Sequence, residues 1–281
     1  MSSIDEKIRL ARTAVADDIW GLLTERNPDV LSALVPNPNL SEEMAVVIAE
    51  NRSTPPEALG VLAGDKRFRE SYKVKLALSK NPSTPSRIAL SLLRYLRVFD
   101  LADMTRAHYI PIPIRQRIEN TIYERIPVMP SGMKMTLAKR ANSNVVVRLL
   151  ESGADERVIA ACLEGPTLIE GDLYKLVNRR TTKSVIIKAI AGHPKWSLRY
   201  NLRYALIRNF ETPMALVAGF VHAMKTADLR DLYTDRTMPA STKPYIYREL
   251  LEREVSVSSP AEEAYELSED EDADFADPGD E

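Results

Sequence analysis

The chain has 281 residues, of which 44% are hydrophobic and 28% charged, so it is long enough to bury a sizeable core. A single cysteine, Cys162, excludes an internal disulfide and a thiolate metal cluster, and its apolar surroundings predict a small buried side chain. The net charge of −2 hides a division, because thirteen of the 40 acidic residues lie from residue 251 onward and leave a basic body before them.

The first predicted element is a polar, charged segment, Met1 to Leu10, with no apolar stretch of the length that a signal peptide needs. No later segment approaches the roughly 20 uncharged apolar residues of a membrane span. We therefore expect a soluble, cytoplasmic protein with no membrane partner.

Short polar segments of the form Asn-x-x-Thr-Pro separate the elements that follow. They begin at Asn51, Asn81 and Asn209, with looser copies at Asn37 and Asn178. Each predicts a junction between two helices. Asn would end one helix in the left-handed conformation, Thr would cap the next, and Pro would take its first position. In the first of these, Thr54 and Glu57 also have the spacing of a capping box.

Between the junctions the apolar residues recur at helical spacing, as in Met44, Val47 and Ile48, and alternating runs typical of strands are absent. The predicted helices have roughly two to four turns and cannot be stable alone, so each must pack on its neighbours. These features predict an all-α fold, and specifically an α-solenoid of short helical repeats.

The chain also repeats itself at an offset of 128 positions. Asn81 to Pro85 recurs as Asn209 to Pro213, Tyr72 matches Tyr200, and Asp100 matches Asp228. No gap is needed from residue 64 to residue 111, which indicates an array of similar units. We predict two tandem halves, residues 1–130 and 131–254, joined by the turn-rich linker Ile126 to Gly132 and packed as one continuous solenoid.

With its Asn-Pro-x-Thr-Pro junction at Asn81 to Pro85, the chain resembles HEAT- and armadillo-like helical-repeat proteins. It is most similar to bacterial members of unassigned function, over most of residues 8–253. It is similar in style to leucine-rich repeat variant proteins, although the cysteine cluster of their iron–sulfur site has no counterpart here. The resemblance implies a surface for binding other molecules.

Residues for catalysis are not evident. His108, His193 and His222 lack metal-ligand spacing, and no phosphate-binding loop, dinucleotide fingerprint or nucleophile elbow is present. His193 lies between two predicted helices, where a capping or packing role is favoured. We therefore expect no enzyme activity, cofactor or metal, although HEAT-like bilin lyases and DNA glycosylases keep an enzyme possible by analogy.

An aromatic stripe, Trp196, Tyr200 and Tyr204, falls at intervals of four residues. It could be a platform for stacking bases or holding a peptide. A core face is the favoured interpretation, because apolar residues such as Phe68 and Leu76 stand at the matching positions of the first half.

The segment from Leu173 to Phe210 carries nine basic residues and no acidic one. Lys195, Arg199 and Arg203 again recur every four residues, which predicts a basic ridge along one helix face. A solvated face explains such a run, but without nearby acids the ridge would repel itself unless an anionic partner met it. The candidate residues for binding an anion or a partner are Arg179, Arg180, Lys183, Lys195, Arg199, Arg203 and Arg208.

From residue 255 to 281, serine, proline, alanine and acids replace the apolar periodicity, so the tail is predicted to be disordered. It could serve solubility alone. Alternatively, Tyr265, Leu267 and Phe275 could form a docking segment, or the tail could lie on the basic ridge of its own molecule as a tethered competitor.

These patterns favour a non-catalytic protein-interaction scaffold that holds an acidic or extended segment of another protein. The alternative is a protein that binds the phosphate backbone of nucleic acid and is regulated by its acidic tail, although no recognised nucleic-acid reader motif is present.

Overall fold

A computed structural model describes residues 3–24, 27–152, 155–257 and 259. Within these ranges the fold is all-α, as predicted, and no strand forms. The tail residues Tyr265, Leu267 and Phe275 lie outside the described residues. In the described part of the chain every helix is too short or too polar to cross a membrane.

The helices are short, and turns of a few residues connect them. Those of the first nine-helix set are α1 (Ile4–Thr13), α2 (Ala16–Leu23), α3 (Pro28–Leu34), α4 (Glu42–Glu50), α5 (Pro56–Gly64), α6 (Tyr72–Lys80), α7 (Ser86–Leu92), α8 (Val98–Thr105) and α9 (Ile112–Arg125). Those of the second set are α10 (Ser131–Arg140), α11 (Ser143–Ser152), α12 (Glu156–Leu163), α13 (Glu170–Asn178), α14 (Ser184–Gly192), α15 (Tyr200–Ile207), α16 (Met214–His222), α17 (Thr226–Thr234) and α18 (Lys243–Glu252). Two 3₁₀ helices, Leu93–Tyr95 and Ile126–Val128, follow α7 and α9.

The two sets correspond helix by helix at the offset of 128 positions. When 128 is added to the residue numbers of α4 and α5, the bounds of α13 and α14 result without any difference. For the other helices the shifted bounds agree within three residues. The structural repeat is therefore longer than the ungapped sequence match, and it covers all nine helices of each set. We call residues 1–130 the first copy and residues 131–254 the second copy.

The tertiary contacts divide the chain into two compact units, residues 1–152 and 153–281. In the first unit α1 packs on α3, α2 on α4, α4 on α6 and α7 on α9. The helices α10 and α11 belong to this unit, because they pack on α8 and α9. The predicted boundary at residue 130 is thus a boundary of the sequence repeat, while helix packing continues across it.

In the second unit α12 packs on α14, α13 on α15, α16 on α18 and α17 on α18. As in the first unit, most of the helices named here pack on the next helix but one in the chain, as α12 does on α14. Leucine, isoleucine, valine and alanine side chains fill the space between them. Cys162 on α12 is fully buried, and burial raises the pKa of its thiol to about 12, which confirms the predicted core role.

The Asn-x-x-Thr-Pro segments do join helices, but the predicted mechanism is wrong. Asn81 ends α6 with a φ of −77°, an extended conformation and not a left-handed one. Its side chain holds the junction together. The amide Nδ2 donates to the carbonyl oxygens of Ala49 at 2.7 Å and Asn51 at 3.0 Å, and Oδ1 accepts from the N–H of Ser83 at 2.9 Å.

The threonines of two junctions also bond to the helix before them. Thr54 Oγ1 donates to the carbonyl oxygen of Ile48 at 2.8 Å, and Thr212 Oγ1 donates to that of Leu206 at 2.7 Å. The helix that follows Thr54 begins at Pro56 without a side-chain cap, so the capping box predicted for Thr54 and Glu57 is absent. These side chains close the end of one helix because buried carbonyl groups there need donors.

Candidate partner-binding groove and tyrosine cleft

The predicted ridge of Lys195, Arg199 and Arg203 is not one helix face. α15 begins at Tyr200, so Arg199 is its N-cap residue, and Lys195 lies in the turns that precede it. The spacing of four residues therefore runs across a turn and a helix, where it does not align side chains. The prediction that Lys195, Arg199 and Arg203 lie on one continuous helix is therefore wrong.

The three side chains of the predicted ridge also have different surroundings. The Nζ atom of Lys195 lies 4.1 Å from the centroid of the neighbouring Trp196 ring. Arg203 is partly buried, and its Nε donates to the carbonyl oxygen of Ser197 at 2.6 Å. Arg199 is exposed. A common role for these three residues in binding stays a prediction.

Three of the other candidate residues do meet in one place. Arg179, Arg180 and Arg208 line a groove of about 540 Å³ between the end of α13 and the end of α15. The other lining residues are Val177, Asn178, Thr182, Ala205, Asn209, Phe210, Glu211 and Thr237. We call this feature the arginine groove. Lys183, the exposed N-cap residue of α14, is not part of its lining.

Acidic side chains reach the arginine groove from outside the basic segment. Asp235, the C-cap residue of α17, lies 2.7 Å from the guanidinium group of Arg208. Hydrogen bonds from Thr237, together with the charge of Arg208, hold the pKa of Asp235 below its usual value. Glu211 also lines the groove. The expectation that no acid compensates the basic residues is therefore wrong for Arg208.

An exposed aromatic side chain stands in the wall of the arginine groove. Phe210 is 76% exposed, although phenylalanine is ordinarily buried. In the first copy its position is occupied by Pro82. Sequence reasoning overlooked Phe210, and the signal that identifies it is a difference between two aligned copies.

The groove differs from the matching surface of the first copy at a second position. Thr237 stands where the first copy has Tyr109, and the guanidinium group of Arg52 lies over the Tyr109 ring, 4.4 Å from its centroid. Arg52 is the counterpart of Arg180. Replacement of the ring by a threonine leaves Arg180 without this aromatic neighbour and opens the space between the arginine and residue 237.

The aromatic stripe divides between the core and a second concave surface. Trp196 is only 2% exposed, and its Nε1–H donates to the carbonyl oxygen of Leu163 at 2.8 Å, which agrees with the core interpretation. Tyr200 and Tyr204 are partly buried on α15 and line a cleft of about 460 Å³ together with Tyr174 of α13. We call it the tyrosine cleft, and its remaining lining residues are Glu170, Gly171, Asn201 and Asp228.

A hydrogen-bond network fixes one wall of the tyrosine cleft. The hydroxyl of Tyr200 donates to the carboxylate of Asp228 and accepts from the backbone N–H of Lys225 at 3.1 Å. Burial, followed by the bond to Asp228, raises the pKa of Tyr200. Asp228 lies in the first turn of α17, so its carboxylate connects that helix to Tyr200 of α15.

The same network exists in the first copy. Tyr72 donates to Asp100 and accepts from the backbone N–H of Arg97 at 3.0 Å. The shared network is therefore part of the fold, and the residues that distinguish the tyrosine cleft are the ones that differ between the copies.

His193 and His222 contact groups close to them in the structure. His193 is the C-cap residue of α14, and its Nδ1 accepts from the backbone N–H of Lys195 at 3.2 Å, in agreement with the predicted structural role. His222 contacts Glu249 at 3.2 Å. In the ranges that the structure covers, no group of three or more histidine, cysteine, aspartate or glutamate residues could hold a metal ion.

Comparisons with protein families, curated proteins and solved structures found no match to this chain. The resemblance to HEAT- and armadillo-like repeats therefore stays a prediction, and the functional argument depends on the geometry of the groove and the cleft.

Proposed function

We propose that this protein is a non-catalytic interaction scaffold, a solenoid of short helices whose second copy binds an acidic or extended segment of a partner protein in the arginine groove. The observation that carries the proposal is the convergence of Arg179, Arg180 and Arg208 beside the exposed ring of Phe210.

The chemistry of the groove fits such a segment. A guanidinium group offers paired donors that match the two oxygens of a carboxylate, and it does so better than an ammonium group. The ring of Phe210 offers an apolar contact beside these donors, and aromatic side chains commonly anchor peptides. The volume of about 540 Å³ suits a few residues of an extended chain.

Nucleic acid is the alternative partner, because arginines can contact phosphates and a phenylalanine can stack on a base. The carboxylates of Glu211 and Asp235 make the groove less suitable for a continuous phosphate backbone, which needs many uncompensated cations. The peptide is therefore the favoured ligand.

The proposal is tested by fluorescence anisotropy with a labelled peptide of aspartate, glutamate and glycine, titrated with the full chain at low and moderate salt. Arg180→Glu reverses a charge in the groove, and Thr237→Tyr restores the ring of the first copy. We expect each to weaken binding about tenfold or more, which corresponds to the loss of one charge-assisted contact.

Lys188→Glu is the matched control, since Lys188 is exposed on α14 and does not line the groove. It makes the same change in charge and should leave the affinity nearly unchanged. Equal affinities for the three variants and the parent chain would contradict the proposal. Tighter, steeply salt-dependent binding of labelled single-stranded DNA or RNA would favour the alternative instead.

A further inference from the structure

Several residues that line the tyrosine cleft differ between the two copies, although the hydrogen-bond network beside it is the same in both. Four lining residues of the cleft differ from the residues 128 positions earlier: Gly171 replaces Glu43, Tyr174 replaces Val46, Asn201 replaces Lys73 and Tyr204 replaces Leu76. One long charged side chain is lost from α13 and one from α15, and two aromatic rings are gained.

In the first copy the two lost side chains have opposite charges on neighbouring helices. The pKa of Glu43 is held below its usual value. The causes are hydrogen bonds from the backbone N–H of Glu43 and from the hydroxyl of Ser41, together with the charge of Lys73. In the second copy Gly171 and Asn201 remove both charges, and a Cβ atom added at Gly171 would meet no atom of another residue's side chain or of a neighbouring helix within 4 Å. The space above Gly171 is therefore open.

The groups that line the open cleft suit a cation. Its charged lining residues are Glu170 and Asp228, whereas Arg199 does not line it. In the first copy Ser71 donates to Glu42 at 2.7 Å, but the second copy has Arg199 at that position, so Glu170 lacks the hydroxyl donor.

The tyrosine rings already have cations beside them. Lys225 lies 5.5 Å from the centroid of the Tyr200 ring, and Arg208 lies 5.9 Å from that of Tyr204. Tyr174 is 42% exposed at the mouth of the cleft. Aromatic faces next to carboxylates attract a planar guanidinium group by cation–π contact and by paired hydrogen bonds.

The cleft and the arginine groove lie on the same two helices of the second unit. Tyr174 and Asn178 are four residues apart on α13 and share a helix face, and Arg208, the C-cap residue of α15 with helical backbone angles, lies four residues after Tyr204. Four residues of helix rise about 6 Å, and an extended peptide covers that distance in about two residues.

We propose that the tyrosine cleft receives the guanidinium group of an arginine side chain that belongs to the same partner segment whose acidic side chain lies in the arginine groove. This inference rests on the proposed function and specifies the partner: an extended segment that carries both charges, with about two to four residues between them.

The test uses synthetic peptides of glycine and serine that carry two aspartates and one arginine in either order, separated by three residues. In matched peptides citrulline, which has the same shape without the charge, replaces the arginine. Isothermal titration of the full chain measures both affinities. We expect the arginine peptide of the preferred order to bind about tenfold more tightly than its citrulline partner.

The variant Gly171→Met fills the space above residue 171 without adding a charge, and it should abolish the difference between arginine and citrulline, without weakening the citrulline peptide. Gly171→Ala is its control, and it should keep the difference because a methyl group there meets no neighbour. The far-ultraviolet circular dichroism of both variants reports on folding.

Equal binding of arginine and citrulline peptides by the parent chain would overturn the inference, as would a difference that survives Gly171→Met. A second pair of peptides with asparagine in place of aspartate separates the two proposals. If the affinity does not depend on aspartate but still depends on arginine, the groove proposal fails and the cleft stands. If it depends on aspartate alone, the groove stands and the cleft fails.

Discussion

At the scale of single residues, the two copies meet the same backbone requirement with different side chains. The carbonyl oxygen of Val35 accepts from the Nη2 of Arg67 at 3.1 Å. Its counterpart, that of Leu163, accepts from the indole N–H of Trp196 at 2.8 Å. A buried carbonyl needs a donor, but neither the type of donor nor its exact position is fixed. Such substitutions provide matched comparisons inside one molecule.

The junction threonines give one such comparison. Thr84 and Thr212 are both buried, but only the hydroxyl of Thr212 has a partner, because the Oγ1 of Thr84 makes no hydrogen bond. We predict that Thr212→Val lowers the free energy of unfolding by about 1 kcal/mol, the net value of one hydrogen bond. Thr84→Val should leave it unchanged or raise it. Urea denaturation of the two variants measures both changes, and equal losses would show that the hydroxyl of Thr84 is also bonded.

The pH dependence of stability has a contribution from His193. Its Nδ1 accepts a backbone hydrogen bond, so the neutral ring is required, and burial keeps its pKa below the usual 6.5. The nearby charges of Glu164 and Lys195 act in opposite directions, raising and lowering this pKa respectively. The pKa of His193 is lower in the folded chain, so as the pH falls the unfolded chain binds a proton on this ring first. The stabilisation from His193 is therefore fully present above pH 6.5 and is lost as the pH falls through the lowered pKa.

The variant His193→Asn tests this effect, because an asparagine Oδ1 accepts the same type of bond at Asn81 without titrating. We expect the parent chain to lose stability relative to the variant as the pH is lowered from above 6.5 to below it. Denaturant midpoints at several pH values measure the difference. A difference that does not change with pH would contradict the assignment.

At the scale of helices, the sequence predicts where elements end better than what ends them. The polar Asn-Pro segments separate helices as predicted, because proline and asparagine interrupt helical periodicity. Their hydrogen bonds could not be predicted, since Asn81 reaches carbonyl groups of α4, about 30 residues earlier in the chain. Capping rules describe local partners only, and here the partners belong to other helices.

The basic ridge failed as a prediction for a related reason. Its spacing was assigned to a single helix that in fact begins at Tyr200, and the acid beside Arg208 comes from the end of α17. Arg179, Arg180 and Arg208 line one groove in the structure, and the sequence could not predict their adjacency because it depends on the packing of α13 on α15.

At the scale of the whole molecule, the duplication is the feature that the sequence predicts most completely. Nine helices recur at an offset of 128 positions, and conserved pairs such as Tyr72 with Asp100 and Tyr200 with Asp228 repeat in three dimensions. The tyrosine and aspartate of these pairs are the same in both copies, whereas Phe210, Thr237 and Gly171 differ from their first-copy counterparts. Comparison of the copies could have indicated these positions from the sequence, but only packing shows that they border concave surfaces.

The central claim is that the second copy binds an acidic segment and the first does not. Hydrogen–deuterium exchange of the full chain, with and without the acidic peptide, tests this directly because each copy is the control for the other. We predict slower amide exchange in residues 177–182 and 205–211 when the peptide is bound. Residues 49–54 and 77–83, the same positions of the first copy, should be unaffected. Equal protection of both pairs of segments, or of neither, would contradict the account.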